Sequence, residues 1–320
     1  MVDILTVTMN PALDVSAGTG QVHPTSKLRC DSVQRHAGGG GVNVARVVRR
    51  LGGDCVALCM VGGPSGEMLT TLLQSEGVAC IPVAIAGHTR ESFTVLERTT
   101  NQEFRFVLPG PDIHEDEMTA CMGMLSWQPP PDFVVASGSL PPGVPHDFYR
   151  QLAQMSNAWA AKFIVDGSGE SLQAALEHGV YMVKPSLREF RDITQLPLRT
   201  VVDVAHAASQ WVQRQWAAVV VVSLGEQGAL MAHADGVVFA PALPVTVVSA
   251  VGAGDSFVAG IVWSLSQNDT LDRAFRYGVA CASASLMSAG GGLCSPEDVQ
   301  TWFSQVVCTN QLPETPLWSS

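Results

Sequence analysis

Across 320 residues, 29 Asp and Glu outweigh 18 Lys and Arg. The resulting formal charge of −11 repels phosphate backbones and argues against nucleic-acid binding spread over the surface. Hydrophobic residues reach 47% and charged ones only 15%, enough core for one large α/β domain or two smaller ones and too few charges for a disordered or coiled-coil chain.

No apolar run approaches the roughly 20 residues a membrane helix requires; the longest, Trp216 to Val222, is strand-sized. No basic leader segment or cleavage site is apparent, so a signal peptide is not expected. The eight cysteines are dispersed without a C-x-x-C pair, and Cys55, Cys59 and Cys281 sit in apolar stretches, the pattern of reduced core thiols in a cytoplasmic protein.

In chain order, Val2–Thr8 reads as a β-branched opening strand. Asn10-Pro11-Ala12-Leu13-Asp14 places a carboxylate just past its carboxyl end, where ligands of open α/β sheets collect. A lone Asp there also fits a simple turn former. Asp14–His36 alternates polar and apolar residues with no helix between. Four glycines, Gly38 to Gly41, lead into a helix over Gly41–Leu51 with Val42, Ala45 and Val48 on its apolar side and Asn43, Arg46 and Arg50 on the other. Backbone without Cβ lets a ligand approach closely, and Asn43 stands in the first turn beyond it.

Cys55–Val61 is a buried strand, Gly66–Glu76 a helix, and Thr89–Leu108 a second alternating segment. These two segments interrupt an otherwise regular βα rhythm and are expected to form a small β-sheet beside the main one, with surface hairpins without function as the plainer alternative. Lys27 and Arg29 fall in the first excursion, and Arg90 and Arg105 in or beside the second. Together they can hold a substrate phosphate; singly, each fits a solvated strand face.

Further strands are expected at Phe133–Ser137, Phe163–Asp166, Tyr181–Lys184 and Ala217–Ser223, separated by helices over His146–Met155, Ser171–His178 and Val202–Gln215. Three of these strands run into polar or glycine-rich turns. Ser137-Gly138-Ser139 offers hydroxyl and backbone donors, Lys184-Pro185-Ser186-Leu187-Arg188-Glu189 a carboxylate suited to ordering Mg2+ water, and Ser223-Leu224-Gly225-Glu226-Gln227-Gly228 a backbone surface for a nucleotide. Helices over Ala253–Gln267, Leu271–Ser288 and Pro296–Val306 close the fold, and Thr309 to Ser320 reads as a loosely held tail.

The sharpest local signal is Val251-Gly252-Ala253-Gly254-Asp255-Ser256-Phe257, at the start of a long apolar helix. Glycines at a helix N-terminus gather backbone N–H groups into an anion pocket. Such a pocket stabilises the charge on a phosphoryl group in transfer, and Asp255 stands where a carboxylate can take a proton from an attacking hydroxyl. An ordinary Asp-capped turn has the same composition. Several other chemistries are excluded. No G-x-x-x-x-G-K-[ST] or G-x-G-x-x-G occurs, His114-Glu115 meets Met118 instead of a second zinc-binding His, and Ser65, Ser139 and Ser168 complete no nucleophile elbow.

Together, the Gly38–Asn43 and Val251–Asp255 motifs resemble the two signatures of PfkB-type sugar kinases of the ribokinase superfamily, and the likeness runs from the first strand to about Val306. The Lys27–Cys30, Arg105–Gly110, Ser137–Val144 and Val222–Leu230 segments look like those of its phosphosugar members. The resemblance implies a ribokinase-like α/β fold over residues 1–307, with a mostly parallel central sheet flanked by helices on both faces. It also implies a β lid from about 14–36 and 89–108 that clasps a homodimer, and a tail at 308–320.

The same resemblance assigns residues to roles. Asp255 becomes the base on the sugar's primary hydroxyl, with Gly252, Ala253 and Gly254 as the anion hole. Asp14, Gly39 and Asn43 would bind the sugar, and Arg90 and Ser139 its phosphate, with Lys27 and Arg29 nearby. Lys184, Ser186, Ser223, Gly225 and Gly228 would lie along ATP and Glu189 near Mg2+, while Ser249, Val251, Ser285, Ser288, Gly290 and Gly292 would surround K+. In place of the family's N-x-x-E, this chain has Ser186-Leu187-Arg188-Glu189, a shorter reach to a metal-bound water. The activity implied is ATP-dependent phosphorylation of fructose 6-phosphate to the 1,6-bisphosphate. Tagatose 6-phosphate and fructose 1-phosphate are rival substrates, and a catalytically silent sugar-phosphate sensor is the rival of another class. Neither nucleic acid nor membrane is an expected partner.

Overall fold

The computed structural model describes residues 3–126, 129–314 and 316–317. The chain opens with β1 (Ile4–Thr8), then leaves the main sheet for β2 (Ala12–Thr19) and β3 (Asp31–Gly38). It returns through α1 (Gly40–Arg50), β4 (Cys55–Val61), α2 (Gly63–Ser75) and β5 (Ala79–Ala84), and departs again for β6 (Arg90–Glu97) and β7 (Gln102–Val107). The central run is α3 (Glu115–Ser126), β8 (Phe133–Ser137), α4 (Phe148–Ala158), β9 (Lys162–Asp166), α5 (Gly169–His178), β10 (Val180–Val183), α6 (Leu187–Thr194), α7 (Val201–Gln213) and β11 (Ala217–Ser223). A hairpin of β12 (Ala229–His233) and β13 (Gly236–Ala240) precedes α8 (Ala253–Ser266), α9 (Leu271–Leu286) and α10 (Pro296–Phe303).

The main sheet has nine strands in the order β13-β12-β11-β10-β9-β8-β1-β4-β5. All pairs are parallel except those made by the β12–β13 hairpin. Period-two alternation feeds a core on each face. On β1, Ile4 joins the core that holds Val42, Phe257 and Phe275, while Leu5 and Val7 join the one that holds Phe148 and Leu152. Strands covered on both sides read as nearly continuous apolar runs, which is why β4, β8 and β11 are found at their expected bounds. From β1 the sheet grows one way to β4 and β5 and the other way to β8, so connections diverge at its carboxyl end and leave a crevice there.

The two excursions form a separate four-stranded sheet, β3-β2-β6-β7. Its register pairs Asp14 with His36 and Ser92, and Thr94 with Arg105, which sets these residues on one face. The opposite face takes Val15, Phe93 and Phe106. The expected fold, a mostly parallel sheet between helices with a small β lid, is the one found.

Three features differ from the sequence expectation. β5, α3, α6 and the β12–β13 hairpin were not anticipated as elements. The polar side of α1 does not face water: Asn43 is 6% exposed and Arg46 only 1%, because each finds buried partners. The C-terminal segment is pinned where it is described. Thr309 exchanges hydrogen bonds of 2.8 and 2.9 Å with Phe239 on the edge strand β13, and Leu317 donates to Arg199 O at 2.7 Å and accepts from Arg191 at 2.8 Å. Exposed edges recruit such partners. Position 2 of the expected first strand and positions 315 and 318–320 of the expected tail lie outside the described residues.

Candidate active site

The carboxyl ends of the parallel strands collect the polar residues. β1 runs into Asn10, β8 ends in Ser137, β9 in Asp166 and β11 in Ser223, and Lys184 directly follows β10. Facing them is the start of α8. Its cap, Gly252, has φ of 77°, and a Cβ there would collide with Leu293 Cδ2, so the turn requires glycine. No side chain caps this helix, and its first-turn N–H groups have no intrahelical acceptor. With the helix dipole they make a positive cradle for an anion.

Asp255, in that first turn, accepts from Asn43 Nδ2 at 2.9 Å through Oδ2 and from Ser137 Oγ at 3.3 Å through Oδ1. Burial pushes its pKa up, against the opposing pull of Asn43, Lys184, Ser137 and Arg105, and the net direction is upward. That shift makes the carboxylate a stronger base. The Asn43 amide is oriented from behind by Arg46, whose Nη1 lies 3.4 Å from Asn43 Oδ1. A guanidinium only donates, so the amide must turn its oxygen to Arg46 and its hydrogens to Asp255. Arg46 also donates to Ala37 O at 2.8 Å, at the root of β3, and pairs with Glu76 at 2.8 Å.

On the lid side, Asp14 fills space that Gly38 leaves open, since a Cβ on Gly38 would collide with Asp14 Oδ2. Burial raises the Asp14 pKa against the charges of Arg105, Arg90 and Arg46, and Asp255 raises it further. Asp14, Arg105, Val251 and Gly291 line one small cavity. Arg90 donates to Asn10 O at 3.3 and 3.2 Å, and Asn10 Nδ2 donates to Ser139 Oγ at 3.0 Å, so one asparagine brings Arg90 and Ser139 together. Gly39, with φ of 109°, caps α1 and accepts from Asn43 N at 2.8 Å. Lys27 and Arg29 lie exposed in the loop between β2 and β3, apart from the charges that act on Asp14.

Behind the glycine turn opens a cavity of about 590 Å³ lined by Ser223, Gly225, Gly228, Ala253, Gly254 and Phe257, with Leu243, Val279 and Leu286 among its apolar walls. The cavity brings three of the five expected nucleotide residues, Ser223, Gly225 and Gly228, beside the glycine turn, while Lys184 and Ser186 are not in its lining. Lys184 Nζ is 3.2 Å from Asp166 Oδ1 and 3.5 Å from where a Cβ on Gly254 would stand. Burial opposes the Lys184 charge, but Asp166 and Glu189 overcome it and raise its pKa. Asp166 itself is pushed up to about 6, chiefly by burial.

Ser186 and Glu189 form a capping box on α6: Ser186 N and Oγ donate to Glu189 Oε2 at 2.7 and 2.8 Å, and Ser186 Oγ accepts from Glu189 N at 3.3 Å. The serine therefore aims the carboxylate through the helix cap. Among the described residues no three His, Cys, Asp or Glu side chains converge as a metal cage. In the loops assigned to K+, Val248 and Ser249 donate to Leu286 O, which brings the Ser249–Val251 segment against the end of α9. Ser288 Oγ donates to Leu293 O at 2.6 Å, Gly292 O accepts from Arg50, and Ser285 Oγ is buried with no hydrogen-bond partner among the described residues. Gly290 lies beside Asp14 and Val251 in the small cavity.

Asn10, Asp166 and Arg46 were not singled out from the sequence as site residues, and Ser137 was read only as one donor of its turn, not as a partner of Asp255. Asn10 and Asp166 carried the signal used elsewhere, a polar residue at the carboxyl end of a strand. Arg46 did not, because helical periodicity placed it on a solvent face.

Residues 7–298 match the profile of the pfkB family carbohydrate kinases. The ATP-dependent 6-phosphofructokinase isozyme 2 of Mycobacterium tuberculosis is 43% identical over 94% of this chain and 88% of its own length. The 1-phosphofructokinase of Bacillus subtilis is 31% identical over 96% and 99%. Among solved structures, phosphofructokinase-2 from Escherichia coli in complex with fructose-6-phosphate superposes with a TM-score of 0.90 at 37% identity, covering 96% of this chain and 99% of that one. The same enzyme has been solved in complex with potassium, with a TM-score of 0.90 at 38% identity over 95% of this chain and 99% of that one. By the match over residues 7–298 and the 43% identity across nearly its whole length, this chain belongs to the pfkB family of carbohydrate kinases.

Proposed function

We propose that the chain transfers the γ-phosphoryl group of ATP to the primary C1 hydroxyl of fructose 6-phosphate, giving fructose 1,6-bisphosphate. The observation that carries this reading is Asp255, held by Asn43 and Ser137 in the first turn of an uncapped helix whose Ala253 and Gly254 line the large apolar cavity. As the hydroxyl oxygen bonds to the γ-phosphorus, its proton passes to Asp255, and the bond from that phosphorus to the bridging oxygen of ADP breaks. Charge on the equatorial oxygens meets the amides of Gly252 to Gly254 and the Lys184 ammonium.

Asp14 and Asn43 orient the sugar, and Arg90, Ser139 and Arg105 hold its phosphate, while Lys27 and Arg29 stay exposed in the lid loop. Ser223, Gly225 and Gly228 border the nucleotide. The lid face bearing Asp14 and Arg105 closes over the reactants and excludes water.

Glu189 and Asp166 fit Mg2+, being hard oxygen donors beside Lys184, with one Glu189 oxygen held by Ser186. A bound Mg2+ would neutralise phosphate charge. The orphaned Ser285 hydroxyl fits K+, joined by Ser249, Val251, Ser288 and Gly290, while Gly292 O is engaged by Arg50. We divide the chain into a body over residues 1–307 carrying the lid, followed by the C-terminal segment 308–320. Eight free cysteines suit a reducing cytoplasm. The outer lid face exposes Val33 (50%), Phe93 and Phe106 (57%), an apolar patch suited to a homodimer clasp. Light scattering showing a monomer with and without substrate would refute the clasp.

An ADP-release assay with fructose 6-phosphate, tagatose 6-phosphate and fructose 1-phosphate, with and without K+, tests the substrate. Fructose 6-phosphate is expected to lead. A preference of more than about tenfold for another sugar, roughly 1.4 kcal/mol, overturns the substrate assignment. Bound sugar phosphate without ADP release would favour the sensor.

A further inference from the structure

Glu103 lies on β7, on the lid face that carries Arg105. Its Oε2 accepts from Ser249 Oγ at 2.9 Å, a contact that spans 146 residues of sequence. Ser249 is only 2% exposed, and its hydroxyl accepts from Val251 N at 3.2 Å, one residue before Gly252. Ser249 N and Val248 N donate to Leu286 O at 3.2 and 2.7 Å, which fixes this segment to the end of α9. One hydroxyl thus joins a lid carboxylate to the turn that opens the anion hole. A cavity of about 250 Å³ flanks the bond, lined by Ser16, Thr94, Arg98, Glu103, Val248 and Gly290, so the lid meets the body here at a point and not along a packed seam.

We propose that Glu103 is a positioning residue that latches the lid to the anion-hole turn through Ser249. The assignment rests on the kinase reading of this site. Donation to a carboxylate polarises the Ser249 hydroxyl and strengthens its acceptance of the Val251 N–H. When the lid lifts, the hydroxyl loses its acceptor and turns freely, and the turn before Gly252 loosens. Closure over the sugar therefore tightens the amide cradle, and nucleotide alone meets a looser one.

Hydrogen exchange of the 102–107 amides in the free protein reads the latch without reference to catalysis. E103A is expected to exchange these amides about tenfold faster than wild type, the effect of losing one charge-assisted hydrogen bond. E103Q, whose amide oxygen accepts the same bond without the charge, is expected to fall between wild type and E103A. In turnover, E103A and S249A should each lower kcat about tenfold with the KM for ATP little changed, and the double variant should be no worse than the weaker single one. Wild-type exchange in E103A, an E103Q loss equal to that of E103A, or losses that multiply in the double variant would each overturn the latch. Should the wild-type protein transfer no phosphoryl group, the kinase reading fails while the exchange arm still decides whether the latch exists.

Discussion

Asn43 reaches across 212 residues to place its amide hydrogens on Asp255, Nδ2 to Oδ2 at 2.9 Å, because Arg46 holds the oxygen end of the same amide. The bond favours the charged carboxylate and opposes the rise that burial imposes. Asp255 must be ionised to accept a proton, so activity falls as pH drops through its raised pKa. Asn43→Ala removes a donor to the anion and raises that pKa further. The acid limb of the kcat/KM profile should therefore move to higher pH, and an unmoved limb would disconnect Asn43 from the base.

Asp255→Asn keeps the shape of the side chain and removes its basicity. Turnover should fall by at least about 10²-fold, the lower range for a general base. Calorimetry should find sugar phosphate still bound. Turnover near that of wild type would eliminate Asp255 as the base.

Asp166 titrates at about 6 in the folded protein, against an ordinary 3.8. Between those values the native state holds a proton that the unfolded chain has released. Its contribution to stability is thus greatest at the acid end and declines as pH rises through 6. Urea unfolding of Asp166→Asn should give a flatter pH dependence than wild type across this window. Parallel curves for the two proteins would contradict the assignment.

The two glycines of the anion turn differ in what they tolerate. Gly252→Ala places a Cβ against Leu293 in a left-handed backbone and should cost about 1–2 kcal/mol from the conformation alone. Gly254→Ala brings its Cβ to 3.5 Å from Lys184 Nζ, an ordinary contact, and should fold with little change. Thermal denaturation separates them; equal losses would mean the turn is not held by Leu293.

Ser186 is both the cap of α6 and the residue that aims Glu189. Ser186→Ala should lower stability by about 1 kcal/mol and raise the Mg2+ concentration for half-maximal activity. Ser186→Asn, an equally good cap, should keep the stability. A Mg2+ requirement unmoved in the alanine variant would separate Glu189 from the metal.

Much of this arrangement was legible in the residues. β4, β8 and β11 announce themselves because burial on both faces demands unbroken apolar runs, and the Val251–Asp255 turn because few sequences place two glycines and a carboxylate at the start of a long apolar helix. What periodicity misses is set by tertiary partners. Arg46 counts as polar surface until Glu76 and Ala37 arrive from distant segments. β5, with Cys80 and Pro82 in an irregular run, gains its identity only by pairing with β4. Thr309 and Leu317 look untethered until β13 and Arg199 offer backbone partners.

The lid sheet is one layer thick, and alternation along its strands gives neighbouring residues opposite duties. Asp14 and Arg105 point inward, while Val15 and Phe106 point out. Inserting or deleting a single residue in any of these four strands would exchange the two sets along the rest of that strand, turning greasy side chains inward and charges outward. A length change inside a strand is therefore expected to abolish turnover, whereas one in a connecting loop leaves both faces in place.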